Sequence, residues 1–489
     1  MNKKYLRKKF LSVTVACLFA STIFFISVGA KNQSLIENLE FLDFDPSVDI
    51  EVTVEIQKIR AFDKYDRQVF RREYVDRTSD PDFYIKVFIN GEEFTSDSWQ
   101  DTKYIYDPQF SATLDVPDDE EFVTVKIQLW DWNNIGDALC DIGDENDDVE
   151  MIYSIKTGHW TGDDQLGDPS GYGRLNGCDD GTIYKRDMDC ELWFNIYQND
   201  YDNDGIPYWT EVNEYGTDPE IDNTGDDSDG DNVPIEWEWK WEYDPFDNEN
   251  HKNIDPEQDG INNYEEYLTS QWFSDPYRKD LFIELDQMVE SPQGEESLLP
   301  EESKEILYTA HDRQNIVYHL DDGTWEDSGS EMIPFDEESN GDELQYIYWQ
   351  YFLHGSQNNW RRYVFHYGVV IYQGSWADGN AFGPNRFQIS SHGLEITANK
   401  PFLERNTVYA SAYMHEAGHT LGFHNIPGHD QDSAYPWQIG WWINRPYRSC
   451  MNYGFMYYTV DYSDGSRQNP DLDDWEEPRL DLTAFQRIW

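Results

Sequence analysis

Positive charge is scarce in this chain: 36 Lys and Arg stand against 97 Asp and Glu over 489 residues, a formal charge of −61. Binding to a phosphate backbone, which is driven by cations that release counterions, is excluded as a class, and no nucleic-acid partner is expected. Cysteine is scarce too, with five in the whole chain, so a small disulfide-stapled scaffold is excluded and the cores must be built from apolar side chains. Beyond residue 30 there is no long apolar run, and the body of the chain offers no membrane-spanning segment. What is present suffices for sizeable cores: 38% hydrophobic and 16% aromatic residues, in a length that suits about three domains.

The one long apolar run, Leu11 to Val28, follows Lys3, Lys4, Arg7, Lys8 and Lys9 and ends at Gly29 and Ala30. That is the make-up of a secretory signal peptide over residues 1–30, cleaved near Ala30; Phe10 to Ala30 is also just long enough to remain as an anchor. The expected location is secreted, extracellular or at the cell surface. Without those five cations the mature chain carries about −66, a charge that bound divalent cations or a salt-rich medium must offset. Cys178 and Cys190 flank a short polar stretch and are candidates for a local disulfide. The states of Cys140 and Cys450 stay open.

Three compositions follow one another, so the expected fold class is multidomain. Residues 31–197 alternate short β-branched runs (Ile50 to Ile56, Phe83 to Ile89, Phe122 to Leu129, Leu192 to Tyr197) with Asp, Gly, Asn and Pro, the pattern of an all-β antiparallel sandwich. Residues 198–277 are dominated by acids, Gly and Asp-Pro pairs. Residues 278–489 mix strands (Leu281 to Leu285, Ile316 to Leu320, Tyr363 to Tyr372) with helices from Glu302 to about Gln314 and from about Thr407 to Leu421, an α+β domain.

The acidic segment repeats. Asp200, Asp202, Asp204, Gly205 and Glu211 occupy positions 1, 3, 5, 6 and 12 of D-x-D-x-D-G-x5-E, the spacing that wraps oxygens around calcium and closes the cage with a bidentate carboxylate. Asp227, Asp229, Asp231, Asn232 and Glu238 repeat the frame, as do Asp255, Glu257, Asp259, Gly260 and Glu266, with starts 27 and 28 residues apart. An acidic linker has no reason to repeat its twelfth-position Glu. The repeats resemble the calcium-binding type 3 repeats of thrombospondin and related single-helix calcium loops of secreted proteins. No helix enters the first loop, and a stiffening role, in which ions fold the segment, is expected.

His415-Glu416-Ala417-Gly418-His419 is an HExxH motif in a helical stretch. Residues i and i+4 share a helical face, so both imidazoles reach one zinc ion, with Glu416 beside them to exchange protons with water there. Gly422 follows at the distance where metzincin zinc peptidases break the helix, and Ser449-Cys450-Met451-Asn452-Tyr453 is similar to their Met-turn. Residues 278–489 thus resemble a metzincin. The resemblance implies a zinc metalloendopeptidase with Glu416 as general base, Met451 beneath the metal and Tyr453 stabilising the oxyanion. The sequence departs from that family at Asn425, where it places the third ligand. His424 is the first choice instead, because the backbone has already left the helix, with His429 and Asp430 as alternatives. A protein or peptide substrate is expected to lie extended along an edge strand, for which Asn385 to Ser391 is the candidate.

In the sandwich, Ser79-Asp80-Pro81-Asp82-Phe83-Tyr84, Leu129-Trp130-Asp131-Trp132-Asn133 and Asp141-Ile142-Gly143 resemble two loops of the calcium-dependent phospholipid-binding domain of protein kinase C and synaptotagmin. Asp80, Asp82, Asp131, Asp137 and Asp141 are candidate calcium ligands there, and membrane contact through the sandwich follows from the same likeness. Asn133 stands where that family carries Asp. Two functions compete: a secreted, calcium-stabilised zinc endopeptidase, and a catalytically inactive calcium-dependent adhesion or surface-display protein whose peptidase-like domain lacks its third ligand.

Overall fold

The computed structural model describes residues 49–62, 80–133, 136–143, 147–164, 173–177, 188–375, 377–476 and 480–484. The signal peptide expected over 1–30, and Cys178, lie outside these residues.

The alternating N-terminal runs become strands β1 (Glu51–Ala61), β2 (Phe83–Ile89), β3 (Glu92–Thr95), β4 (Tyr104–Asp115), β5 (Phe122–Asp131), β6 (Ala138–Leu139), β7 (Val149–Ser154), β8 (Trp160–Gly162), β9 (Gly173–Asn176) and β10 (Cys190–Gln198). They build two antiparallel sheets, β4-β1-β10-β9 and β3-β2-β5-β7-β8, with β6 also on β5. Because side chains alternate across a strand, Phe83, Ile85, Val87 and Ile89 of β2 and Val123, Val125, Ile127 and Leu129 of β5 all face inward. They meet Val52, Val54 and Ile56 of β1 and Leu192, Phe194 and Ile196 of β10 in one core, the expected sandwich. Cys190 is a free thiol beside the free Cys140, and both are buried. Cys190 N–H donates to the Asp141 carbonyl and its own carbonyl accepts from Gly177 N–H; the expected partner of Cys190, Cys178, lies outside the described residues.

β10 ends two residues before the first acidic loop, so no helix enters it. Short helices leave the loops: Tyr208–Thr210 running on into a wider turn, Glu211–Tyr215, after the first, α1 (Ile235–Lys240) after the second and α2 (Asn263–Thr269) after the third. Ile206, Val233 and Ile261, at position 7 of each loop, are buried, and Trp237 and Trp241 of α1 form a small core with Val233 that anchors the middle repeat.

The C-terminal domain is a sheet of β11 (Lys279–Met288), β12 (Ile316–Asp321), β13 (Met332–Ile333), β14 (Phe365–Ile371), β15 (Gly379–Gly383) and β16 (Arg386–Ser390) in the order β12-β11-β14-β16-β15, with β13 on β11. Its strands are parallel except β15. Helix α3 (Glu301–Asp312) makes the crossover from β11 to β12. Leu281, Ile283 and Leu285 of β11 face α3 and the long helix α6 (Arg405–Thr420), while Phe282 and Met288 face α4 (Gly341–Ile347); α5 (Ser391–Ala398) follows β16. Crossover helices on both faces make this arrangement closer to α/β than to the expected segregated α+β. Asn385 to Ser391 also proves to be interior: β16 pairs with β14 on one side and β15 on the other, and the free edge belongs to β15.

The two large domains share a buried ion cluster. Arg60 of β1 and Arg174 of β9 contact Glu191 of β10 and Asp312 at the end of α3, and Arg174 Nη1 donates to Asn315 Oδ1 at 2.7 Å. All four charged side chains are at most 4% exposed.

Candidate metal centres

α6 carries His415 and His419 one turn apart, and its end is set by Gly422, whose φ of +86° is the left-handed C′ conformation that glycine adopts without strain. The Phe423 N–H then returns to the Gly418 carbonyl, and the chain passes Ile426 and Pro427 before coming back to the helix at His429. One ring nitrogen from each of His415, His419 and His429 lies within 4.8 Å of the other two. The ring centroids form a nearly equilateral triangle, 5.0 Å, 4.9 Å and 5.1 Å on its sides. His415 Nε2 and His429 Nε2 face each other at 3.2 Å. Two nitrogen lone pairs at that distance repel unless something positive lies between them, and tetrahedral ligands about 2.0–2.1 Å from zinc stand about 3.3–3.4 Å apart. The donor set fits zinc.

His415 Nδ1 is 2.9 Å from the Cys450 carbonyl, to which its N–H donates; this leaves Nε2 as the ligand atom. Burial first, then the neighbouring imidazoles, lowers His415 to about 3 and His419 to about 4, so all but acid conditions keep them in the neutral, ligating form. The remaining candidates for the third ligand are placed elsewhere. His424 is exposed, because the reversal at Gly422 turns the next residues outward. Asp430 is exposed and its Oδ1 accepts from Asp432 N–H and Ser433 Oγ in a turn. Of the three expected candidates it is thus His429, one of the two alternatives, that lies with His415 and His419, and not the first choice, His424, or Asp430.

Glu416 is 5% exposed and lies against β15. Burial raises its pKa to about 8, opposed only by the nearby backbone of Ala381. Gly379 makes this approach feasible: a Cβ there would stand 2.6 Å from Glu416 Oε1. The packing under the helix follows the same logic, since a Cβ on Gly418 would meet Met451 Sδ at 2.6 Å. Met451 is fully buried there. Tyr453 stacks on His429 at 4.4 Å and on His415 at 5.7 Å between centroids. Gly379 and Ala381 carry no recognisable motif, and the part played by the carbonyl of Cys450, inside the Met-turn-like segment, is likewise revealed only by the tertiary structure.

The three acidic loops share one backbone. The amide at position 6 donates to the first Asp in each: Gly205 to Asp200 Oδ2 at 2.8 Å, Asn232 to Asp227 Oδ2 at 3.1 Å and Gly260 to Asp255 Oδ2 at 3.2 Å. Position 6 has φ of +90°, +84° and +95°, as the motif requires, and position 4 is left-handed as well, at Asn203, Gly230 and Gln258. Asp200, Asp202, Asp204 and Glu211 converge within 4.8 Å, as do Asp227, Asp229 and Asp231, and Asp255, Glu257 and Asp259. Buried oxygens without a hydrogen-bond partner point into the cages: Asp200 Oδ1, Asp202 Oδ2, Glu211 Oε2, Asp229 Oδ2, Glu238 Oε2, both oxygens of Glu257 and Glu266 Oε1. Burial, with repulsion from Asp204 and Asp202, pushes Glu211 up to about 7, and burial with Asp259 pushes Glu257 to about 11. Such crowding is relieved by a hard divalent cation, and calcium fits these all-oxygen sites.

The sandwich acids also accept hydrogen bonds. Asp131 accepts from Asp82 N–H and Asn133 Nδ2, Asp137 from the Tyr84 hydroxyl and Asn133 N–H, Asp82 from Asp101 N–H and Asp141 from Gly143 N–H, while Asp80 lies 3.6 Å from Lys103. Asp131 and Asp137 each use both oxygens in this way.

No family model matches the chain, and no curated protein matches it. Among solved structures, human GIVD cytosolic phospholipase A2 in complex with methyl gamma-linolenyl fluorophosphonate is similar over 32% of this chain and 18% of that one, at 13% identity and a TM-score of 0.19. A C2 domain is similar over 30% of this chain and 98% of its own length, at 10% identity and a TM-score of 0.18. The calcium-bound tandem C2 domains of Extended-Synaptotagmin 2 are similar over 31% of this chain and 46% of theirs, at 10% identity and a TM-score of 0.20. C2 domains are thus among the structural neighbours, at scores too low to carry an argument about function. No helix among the described residues is long and apolar enough to cross a membrane.

Proposed function

We propose that the chain is a secreted zinc-dependent endopeptidase whose acidic repeats bind divalent cations, calcium in the all-carboxylate loops, and hold its domains in place. The observation that carries this reading is the convergence of His415, His419 and His429 beside the buried Glu416. When bound, zinc would supply a Lewis acid for the peptide carbonyl and lower the pKa of water. Glu416 would accept the proton of the attacking water and return it to the leaving amine, packed for both transfers against Gly379 of β15. The Tyr453 hydroxyl is the donor available to the developing oxyanion. An extended substrate would pair with β15, the free edge, whose Ala381 and Gly379 already touch Glu416. Strand pairing brings the reacting carbonyl to the base without a deep pocket.

The catalytically inactive adhesion protein rested on the absence of a third donor at Asn425, and the position of His429 removes that ground. Calcium binding at the sandwich loops, and the membrane contact it would imply, stay part of the proposal: Asp82, Asp131 and Asp137 accept hydrogen bonds there just as the carboxylates of the acidic loops do, through oxygens that keep further lone pairs. The test is metal analysis together with Glu416→Gln. The wild-type chain should hold zinc and cleave an unfolded protein; the variant should keep the metal and lose at least about a hundredfold in rate, the scale of a missing general base. A chain that binds zinc and cleaves nothing would sink the enzymatic reading and restore the adhesion one.

A further inference from the structure

One of the three acidic loops contains a donor that its neighbours lack. His251, in the turn His251–Asn253, projects into the second loop, where Nε2 stands 3.2 Å from Asp231 Oδ2 and 3.3 Å from Glu238 Oε1. All three side chains are at most 2% exposed, and the three ligand atoms form a mixed nitrogen and oxygen cluster. Asp231 Oδ1 is already taken by the Val233 amide at 3.0 Å, so Oδ2 is the free atom. Glu238 Oε2 is buried with no hydrogen-bond partner, and so is Asp229 Oδ2. The imidazole is held edge-on by Trp237 and Tyr243, with interplanar angles of 83° and 85°. Its far nitrogen, Nδ1, lies 3.2 Å from the Asn263 amide, whose Oδ1 is otherwise buried and unpaired. As placed, Asn263 Nδ2 faces Nδ1, and Nε2–H is then the donor to Glu238 Oε1; with the amide flipped so that Oδ1 accepts from Nδ1–H, the lone pair of Nε2 faces the two carboxylates, an outer-shell arrangement that orients a metal-binding histidine.

We infer that the second loop binds a first-row transition-metal dication of the zinc or manganese class through Asp231, Glu238 and His251, whereas the first and third loops bind calcium. Calcium takes oxygen ligands, and a buried imidazole replaces one oxygen with a nitrogen that suits the softer ions. The spacing is compatible with such an ion, since donors 3.2 and 3.3 Å apart match the tetrahedral edge of about 3.3–3.4 Å around an ion at about 2.0–2.1 Å; the imidazole donor, not the spacing, sets this loop apart from a calcium shell. The first and third loops offer only carboxylates among their clustered donors. This inference rests on reading the repeats as metal loops and is independent of the peptidase reading.

The experiment uses the full chain dialysed against zinc in excess calcium, followed by elemental analysis. Wild type should retain about two zinc ions per chain, His251→Gln about one, and His415→Ala/His419→Ala about one. Manganese loaded into the latter variant in excess calcium should show nitrogen coupling from a directly bound imidazole by electron spin echo, and His251→Gln should abolish it. The coupling in the His251-containing protein decides the matter even if His251→Gln fails to fold. Zinc retention equal in wild type and His251→Gln, or manganese with no nitrogen coupling, would overturn the inference and leave His251 as a hydrogen-bonded neighbour of a calcium site. Failure of the wider calcium reading would show separately, as a thermal transition that calcium does not move.

Discussion

A neutral imidazole binds zinc and a protonated one does not, so burial that disfavours the cation prepares a histidine for the metal. His429 shares that preparation, its pKa being lowered by burial, while His424 is solvent-exposed. His429→Ala should therefore weaken zinc binding by more than the 10–100-fold typical of losing an outer-shell partner, and His424→Ala should leave it within about threefold; competition with a chromogenic chelator measures both. Gly379 provides a second test. An added methyl 2.6 Å from Glu416 Oε1 must displace the base, so Gly379→Ala should keep its zinc yet lower kcat by about a hundredfold, the effect of misplacing a catalytic group by roughly 1 Å. His415, Glu416 and His419 are legible in the sequence because helical periodicity fixes their relation. The third ligand is not, because the chain between Gly422 and His429 follows no period and its path depends on packing against Asn452, whose side chain fills the space beside Gly428.

Loops with an identical local frame can carry different burdens. Gly205 and Gly260 both sit at position 6 with positive φ, where an alanine costs about 1–2 kcal/mol. A Cβ on Gly205 meets nothing within 4 Å, but one on Gly260 would press on Thr483 Oγ1 at 2.4 Å. Gly260→Ala should consequently lose roughly a further 1–3 kcal/mol to overpacking, seen as a larger drop in Tm with calcium present. The frame of these loops was readable because each needs the same turns at the same offsets; the left-handed residue at position 4 was not, since Asn203, Gly230 and Gln258 share no side-chain chemistry. The strands of the sandwich emerged from period-two alternation. The interior place of β16 did not, for its apolar run is equally compatible with an edge or a centre until its partners are known.

At the scale of the whole molecule, a buried cluster of charges joins the sandwich to the C-terminal domain. Burial alone would raise the Glu191 pKa, but Arg174, Lys58 and Arg60 outweigh it and hold the group at about 2. A carboxylate depressed in the folded state contributes stability that is complete above its unfolded value of about 4.3 and is lost as pH falls toward 2. Acid denaturation of the intact chain should steepen in that window, and Arg174→Met should weaken the steepening while costing about 3–5 kcal/mol near neutrality, because it strips a buried charge of its partner. Chemical denaturation across pH measures both effects. The third acidic loop makes a different kind of join. Asp259 Oδ2 accepts the amide of Asp280, the second residue of the first strand in the C-terminal sheet, at 2.7 Å. Ordering that loop is thus tied to seating that strand, and, if the chain is the secreted, calcium-stabilised peptidase proposed above, its C-terminal domain would be completed only where calcium is plentiful, sparing the proteins of the cell that makes it.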